Sequence, residues 1–177
     1  ACQIGLTEMF DASIGKSTVL MPFGGKYQLT PEEGSVQKLP VFGMTNTCST
    51  MTYGYDPKLA KYSPYLGASY SVVEALAKIT ALGADYSTCR LSNQEYFERV
   101  GNDPKKWGNP MQALLGLVDA QIAFETPSIG GKDSMSGTYK DIHVPPTLIT
   151  FAITTQKTDS VVSASFKKAG NYVYLVK

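Results

Sequence analysis

Apolar residues recur at helical spacing in two long stretches of the chain. After Ser63 and Pro64, a helix start signal, Val72, Val73, Leu76, Ile79 and Leu82 form one stripe until Gly83, which predicts a helix running from Pro64. Asn109 and Pro110 start a second, in which Leu114, Leu117, Val118, Ile122 and Phe124 keep a roughly helical period until Pro127 stops it. Strand composition marks STVLMP (17–22), LPVFGMTNTCST (39–50), YSTCRLS (86–92) and the β-branched run PTLITFAITT (146–155).

The intervening stretches read as connections and short pieces. Residues 1–10 suit the last turns of a helix, FGGKYQLTPEEG an exposed loop, and Tyr55 to Pro57 a turn. NQEYFERV reads as a short helix ended by Gly101, NDPKKWGN as a polar loop, and PSIGGKDSMSG (127–137) as the connection before the last strand. Strands interleaved with two long helices predict a mixed α+β domain, with the helices packed on one sheet face.

Composition narrows the function classes. With 177 residues and 43% hydrophobic content, the chain can bury a core of ordinary size. Sixteen basic against fifteen acidic residues, a formal charge of +1, leave no electrostatic footprint for nucleic acid or acidic lipid. Cys2, Cys48 and Cys89 are far apart and His143 is the sole histidine, so a disulfide framework or zinc site has little to build from. No apolar run approaches the roughly 20 residues that span a bilayer, and ACQIGLTEMFD lacks signal-peptide order. The expectation is a reducing, cytoplasmic setting with neither nucleic-acid nor membrane partners. The start at Ala1 and the alternating NYVYLVK end, which reads as a strand cut short, suggest a piece of a longer protein.

Candidate chemistry is sparse. SIGKST (13–18) carries the ending of a phosphate-binding P-loop, but Phe10 stands where the motif needs its first glycine, so a plain turn is the better reading. GGKDS (130–134) is better placed, between a helix end and a strand, where glycines let backbone N–H groups approach an anion. Lys132 would neutralise phosphate charge and Asp133 would hold a hard cation such as magnesium; a plain connecting loop fits the same composition. Glu74 is spaced to pair with Lys78 at i,i+4, which suits a solvated ion pair better than a metal ligand. His143 has no nucleophile in a recognisable setting. The aromatic stretches YGY (53–55) and EYFER (95–99) suit core packing.

Four segments together point further. FDASIGKSTVLMPFGG, SPYLGASYSVVEALAKI, NQEYFERVGNDPKKWGNP and PSIGGKDSMSGTYKDIHVPPTLITFAITT resemble, in order, segments of the large form of phosphoribosylformylglycinamidine synthase; GGKDSMSG followed by VPPTL is specific to it. That family uses ATP to activate the amide oxygen of formylglycinamide ribonucleotide, and glutamine-derived ammonia to displace the phosphate, forming formylglycinamidine ribonucleotide in purine synthesis. Its chain carries two aminoimidazole-ribonucleotide-synthetase-like copies, each with an N-terminal and a C-terminal subdomain, then a glutaminase domain.

The resemblance covers only the N-terminal subdomain of the second copy, residues 1–157 with 1–38 as a lead-in, while 158–177 resemble the start of the following C-terminal subdomain. It implies a four-stranded sheet with helices on one side, its other face pairing with the first-copy N-terminal subdomain in a central barrel. By this implication the isolated chain self-associates. It further implies an auxiliary, noncatalytic nucleotide site for ATP or ADP with Mg2+. Gly130, Gly131, Lys132, Asp133 and Ser134 would lie at the phosphates, with Glu74 at the metal. Lys78 stands where the bacterial pattern has a metal-binding Asn, and Gly43 where it has a metal-binding Asp. A noncatalytic, subunit-pairing module with a decayed site is the alternative.

Overall fold

The computed structural model describes residues 2, 4–10 and 17–175. A short helix α1 (Ile4–Phe10) precedes a hairpin of β1 (Phe23–Gly24) and β2 (Thr30–Pro31) inside the expected loop. The main sheet contains β3 (Gly34–Lys38), β4 (Thr47–Gly54), β5 (Arg90–Tyr96), β6 (Ser128–Ser134) and β9 (Thr147–Lys157), in the spatial order β3-β4-β9-β5-β6. The small hairpin β7 (Thr138–Tyr139) and β8 (Ile142–His143) links β6 to β9. Helices α2 (Pro57–Tyr62), α3 (Pro64–Ala81) and α4 (Pro104–Phe124) complete the domain. Every neighbour pair in the main sheet is antiparallel except β5–β6. Hence β4, β5 and β6 all point the same way.

The expected α+β architecture holds, with five main strands where four were expected. The fifth is the glycine-rich segment itself. GGKDS forms parallel strand β6 at the sheet edge, because β5 offers it a free row of backbone groups. NQEY is likewise strand instead of helix: β9 pairs along all of β5, and that ladder outweighs the weak local helix preference of so short a stretch. PKKWGN belongs to α4, whose true N-cap is Asp103; its carboxylate accepts from the Lys105 N–H at 2.9 Å. Pro110 is thereby inside the helix, near its start. In the 17–22 segment, Thr18 makes only an isolated bridge to Gln37, and the 39–50 strand begins only at Thr47. Residues 171–175 form no strand, and the SIGK part of the P-loop-like segment lies outside the described residues.

Alternation along the strands separates two faces. Thr50 and Thr52 of β4, Leu148, Thr150 and Ala152 of β9, and Leu91 of β5 are buried beneath the helices. Met51, Tyr53, Ile149, Phe151 and Ile153 occupy the opposite, open face, where Met51 is 40% and Tyr53 52% exposed. Thr52 donates to the Ala75 carbonyl at 2.7 Å, and Ser71 shares a 2.7 Å hydrogen bond with Thr150, which ties α3 to the sheet.

Helix–helix contact explains where the sequence pattern pointed the wrong way. In α3 the buried stripe is Ala68, Val72, Ala75, Leu76 and Ile79, and Val73 faces outward. In α4 the buried residues are mainly small, Ala113, Gly116 and Ala120 with Leu117, while Leu114, Val118 and Ile122 are exposed. A Cβ on Gly116 would stand 2.1 Å from the Tyr65 carbonyl oxygen, so α4 approaches α3 at a distance only small residues permit.

Candidate functional site

The directions of β4, β5 and β6 bring the candidate residues to one end of the sheet. Glu74 accepts the Tyr55 N–H at 2.9 Å, just beyond the carboxyl end of β4, while Lys132 and Ser134 lie at the carboxyl end of β6. Three strand spacings of about 4.8 Å, roughly 14 Å, separate β4 from β6. Glu74 and the GGKDS segment thus share an edge of the sheet without touching.

Glu74 is occupied by its own helix neighbour. The Lys78 ammonium lies 2.7 Å from Glu74 and 3.0 Å from Glu33, donates to the Tyr53 carbonyl at 3.1 Å, and sits over the Tyr53 ring at 4.6 Å. Burial opposes its charge, but the hydrogen bonds and charges of Glu74 and Glu33 outweigh that and hold the Lys78 pKa above its usual value. The ion pair expected from spacing is present, and it carries a third partner, Glu33, that spacing did not indicate. A 560 Å³ cavity on the open face adjoins it, lined by residues including Glu33, Gln37, Met51, Tyr53 and Phe151. Gly43, with φ of 87°, lies in the loop before β4 and not in a strand. Among the described residues no cluster of three or more His, Cys, Asp or Glu side chains is arranged to hold a metal.

Strand alternation divides the five GGKDS residues between the two sheet faces. Lys132 is in register with Gln94 and places its ammonium 5.1 Å from the centre of the Tyr96 ring, on the open face. Ser134, in register with Tyr96, shares a 2.9 Å hydrogen bond with Ser136. Asp133 is in register with buried Glu95 and therefore faces α4. Gly131 permits the pairing itself, since a Cβ there would meet the Asn93 carbonyl oxygen at 2.1 Å.

Sequence reasoning missed Glu95, which it assigned to core packing with the neighbouring aromatics. Its carboxyl is 6% exposed, Oε1 has no hydrogen-bond partner, and burial followed by the charge of Asp133 pushes its pKa up to about 7. Asn93, two residues earlier on the same face, donates from Nδ2 to Ser128 Oγ at 2.6 Å and leaves Oδ1 unpaired. An open 250 Å³ cavity beside them is lined by Leu114 and Leu117 of α4 and by Gly131 to Asp133. No alternation of apolar and polar residues in NQEY marks this pair; only the strand assignment puts both on one face.

The remaining candidates carry no nucleophile chemistry. Burial, then the charge of Asp85, pushes the Cys89 thiol up to about 11, and burial also raises Cys48. His143 contacts Thr138 Oγ1 at 3.1 Å and Glu98 at 3.5 Å, a clasp of the β7–β8 hairpin.

A mixed sheet with long helices on one face and its glycine-rich edge strand beside the candidate site define the class: a mixed α+β domain. No protein-family model matches the chain. It is similar to the phosphoribosylformylglycinamidine synthase subunit PurL of Pyrobaculum aerophilum, with 26% identity over 170 residues, 95% of this chain and 22% of that protein. The PurL subunit of Deinococcus radiodurans is also 26% identical, over 149 residues, 80% of this chain and 18% of its own. The chain spans about a fifth of the length of these curated relatives. In three dimensions it matches the PurLQS structure of Thermotoga maritima with a TM-score of 0.73 and 20% identity, covering 93% of this chain and 25% of that one. Thermotoga maritima PurL complexed with ATP matches with a TM-score of 0.70 and 20% identity, over 93% of this chain and 25% of that one.

Proposed function

We propose that this chain is part of a phosphoribosylformylglycinamidine synthase, a ligase that joins nitrogen from glutamine to formylglycinamide ribonucleotide at the expense of ATP. The observation that carries the reading is the similarity to PurL along 95% of the chain. Its own share is the auxiliary, noncatalytic nucleotide subdomain of that enzyme, working in the cytoplasm beside the remaining subdomains and the glutaminase domain. ATP or ADP with Mg2+ is the ligand, and the complexes of Thermotoga maritima PurL with ATP and with ADP support this choice.

In this reading the nucleotide phosphates meet the open side of β6. Lys132 and Ser134 project there, Gly130 and Gly131 keep the backbone accessible, and Asp133 braces the strand from the reverse side. Glu74 would be the carboxylate to hold Mg2+, in place of its pairing with Lys78. The close pairing of Lys78 with Glu74 and Glu33 favours a second reading, a scaffold whose nucleotide site has decayed and whose work is to pair subdomains.

Titration of MgADP into a protein containing this chain and the C-terminal subdomain that follows separates the two. Lys132→Ala is expected to weaken ADP at least tenfold, a loss of about 1.4 kcal/mol or more. Absence of measurable binding to the unsubstituted protein would sink the nucleotide reading and leave the scaffold. Pairing makes a second demand, because the open face carries Met51, Tyr53, Phe151 and Tyr96 without cover. The isolated chain is expected to form dimers in sedimentation experiments at high concentration; a single monomeric species would contradict the pairing role.

A further inference from the structure

On the opposite side of β6 from the Lys132 ammonium, we infer a separate binding site for a primary ammonium group, formed by buried Asn93 and Glu95 with exposed Asp133 at its mouth, beside α4. Asn93 and Glu95 are 7% and 6% exposed, both line the 250 Å³ cavity, and Asn93 Oδ1 and Glu95 Oε1 meet no donor. Buried acceptors without partners are costly, so a fold that keeps two of them on one strand face has an unmet demand for donors. The neighbourhood cannot supply them: the Asn93 Nδ2 is committed to Ser128 Oγ, and the Lys132 ammonium is held over Tyr96 on the other face.

The guest must therefore bring several N–H donors, and two carboxylates side by side call for positive charge. An ammonium group meets both needs. The outer wall decides against a divalent metal. Leu114 and Leu117 offer no oxygen, whereas magnesium or calcium requires about six oxygen ligands around it. The same leucines suit a short alkyl chain attached to the nitrogen, which makes a small primary alkylammonium the fitting ligand class. Glu95, Asp133 and Lys132 are the titratable residues lining this cavity, Lys132 with its ammonium turned to the Tyr96 ring; α4 contributes only leucines to it, and β9 places Leu148 opposite Glu95.

The site does not rest on the nucleotide reading, and the two fail separately because Glu95 has no part in the nucleotide site. The test is a titration of the intact chain at pH 8 with methylammonium chloride, followed through the NMR amide signals of Gly131, Asp133 and the Asn93 side chain. Tetramethylammonium chloride at equal ionic strength, which has no N–H donor, is the control. Saturable shifts with methylammonium only are expected, weakened at least tenfold in Glu95→Gln. Glu95→Gln retains the fold, since it removes a buried charge. Equal shifts with tetramethylammonium, shifts that never saturate, or tighter saturation by magnesium chloride would each overturn the proposal.

Discussion

Replacing Glu95 with Gln raises the unfolding free energy by about 2–3 kcal/mol at pH 8 and leaves it nearly unchanged at pH 4. The carboxyl is 6% exposed and its pKa is pushed from 4.5 up to about 7, first by burial and then by Asp133. Below pH 4.5 the group is protonated in both the folded and unfolded chains, and the native state bears no penalty. Between pH 4.5 and 7 the unfolded chain gives up its proton first, so stability falls as pH rises, by about 1.4 kcal/mol per pH unit at most. Above pH 7 the loss is complete. Gln removes the titration, and urea unfolding of both proteins at pH 4, 6 and 8 reads the difference directly. Parallel pH profiles for the two would show that Glu95 ionises in the fold at its ordinary pKa.

Gly54→Ala is expected to cost about 3 kcal/mol, because it adds a Cβ where the sheet and α3 are in closest contact. That atom would stand 2.1 Å from the Ser71 carbonyl oxygen and 2.9 Å from both the Ala75 nitrogen and the Glu74 Cβ. Two of these neighbours are backbone, so relief requires β4 and α3 to part. Their separation loosens the Thr52 to Ala75 hydrogen bond and the Tyr55 N–H that Glu74 accepts. A lowered denaturation midpoint should be accompanied by faster hydrogen exchange at the Tyr55 amide. A loss under 1 kcal/mol with that amide still protected would mean that α3 shifts freely at this contact.

Legibility followed the range of the forces involved. The α3 boundaries were readable because Ser63, Pro64 and Gly83 act within a turn or two, and Ser63 does cap the Leu66 N–H at 3.3 Å. β9 was readable because β-branched residues fill six of its eleven positions. The α4 stripe was misread because apolar spacing signals a helix without saying which of its faces meets a partner. Contact with α3 at Gly116 favoured the small residues, and Leu114, Val118 and Ile122 were left outside.

The candidate site shows the same division. GGKDSMSG and its relation to the purine-biosynthetic synthase were carried by the residues themselves, as was the Glu74–Lys78 pair, whose i,i+4 spacing is enforced by the helix. Glu33 joined that pair only because β3 lies against β4 across a turn and a loop. Glu95 became a buried acid only because its stretch pairs with β9 on one side and β6 on the other.

Local chemistry in the sequence therefore determined the α+β class, the two long helices, the last strand and the family likeness of the glycine-rich segment. Tertiary structure alone decided that this segment is an edge strand, that Lys132 and Asp133 face opposite ways, and that Asn93 and Glu95 share a cavity under α4. The physical reason is that strand identity and facing are set by a hydrogen-bonded neighbour far away in the chain, a partner that no window of consecutive residues contains.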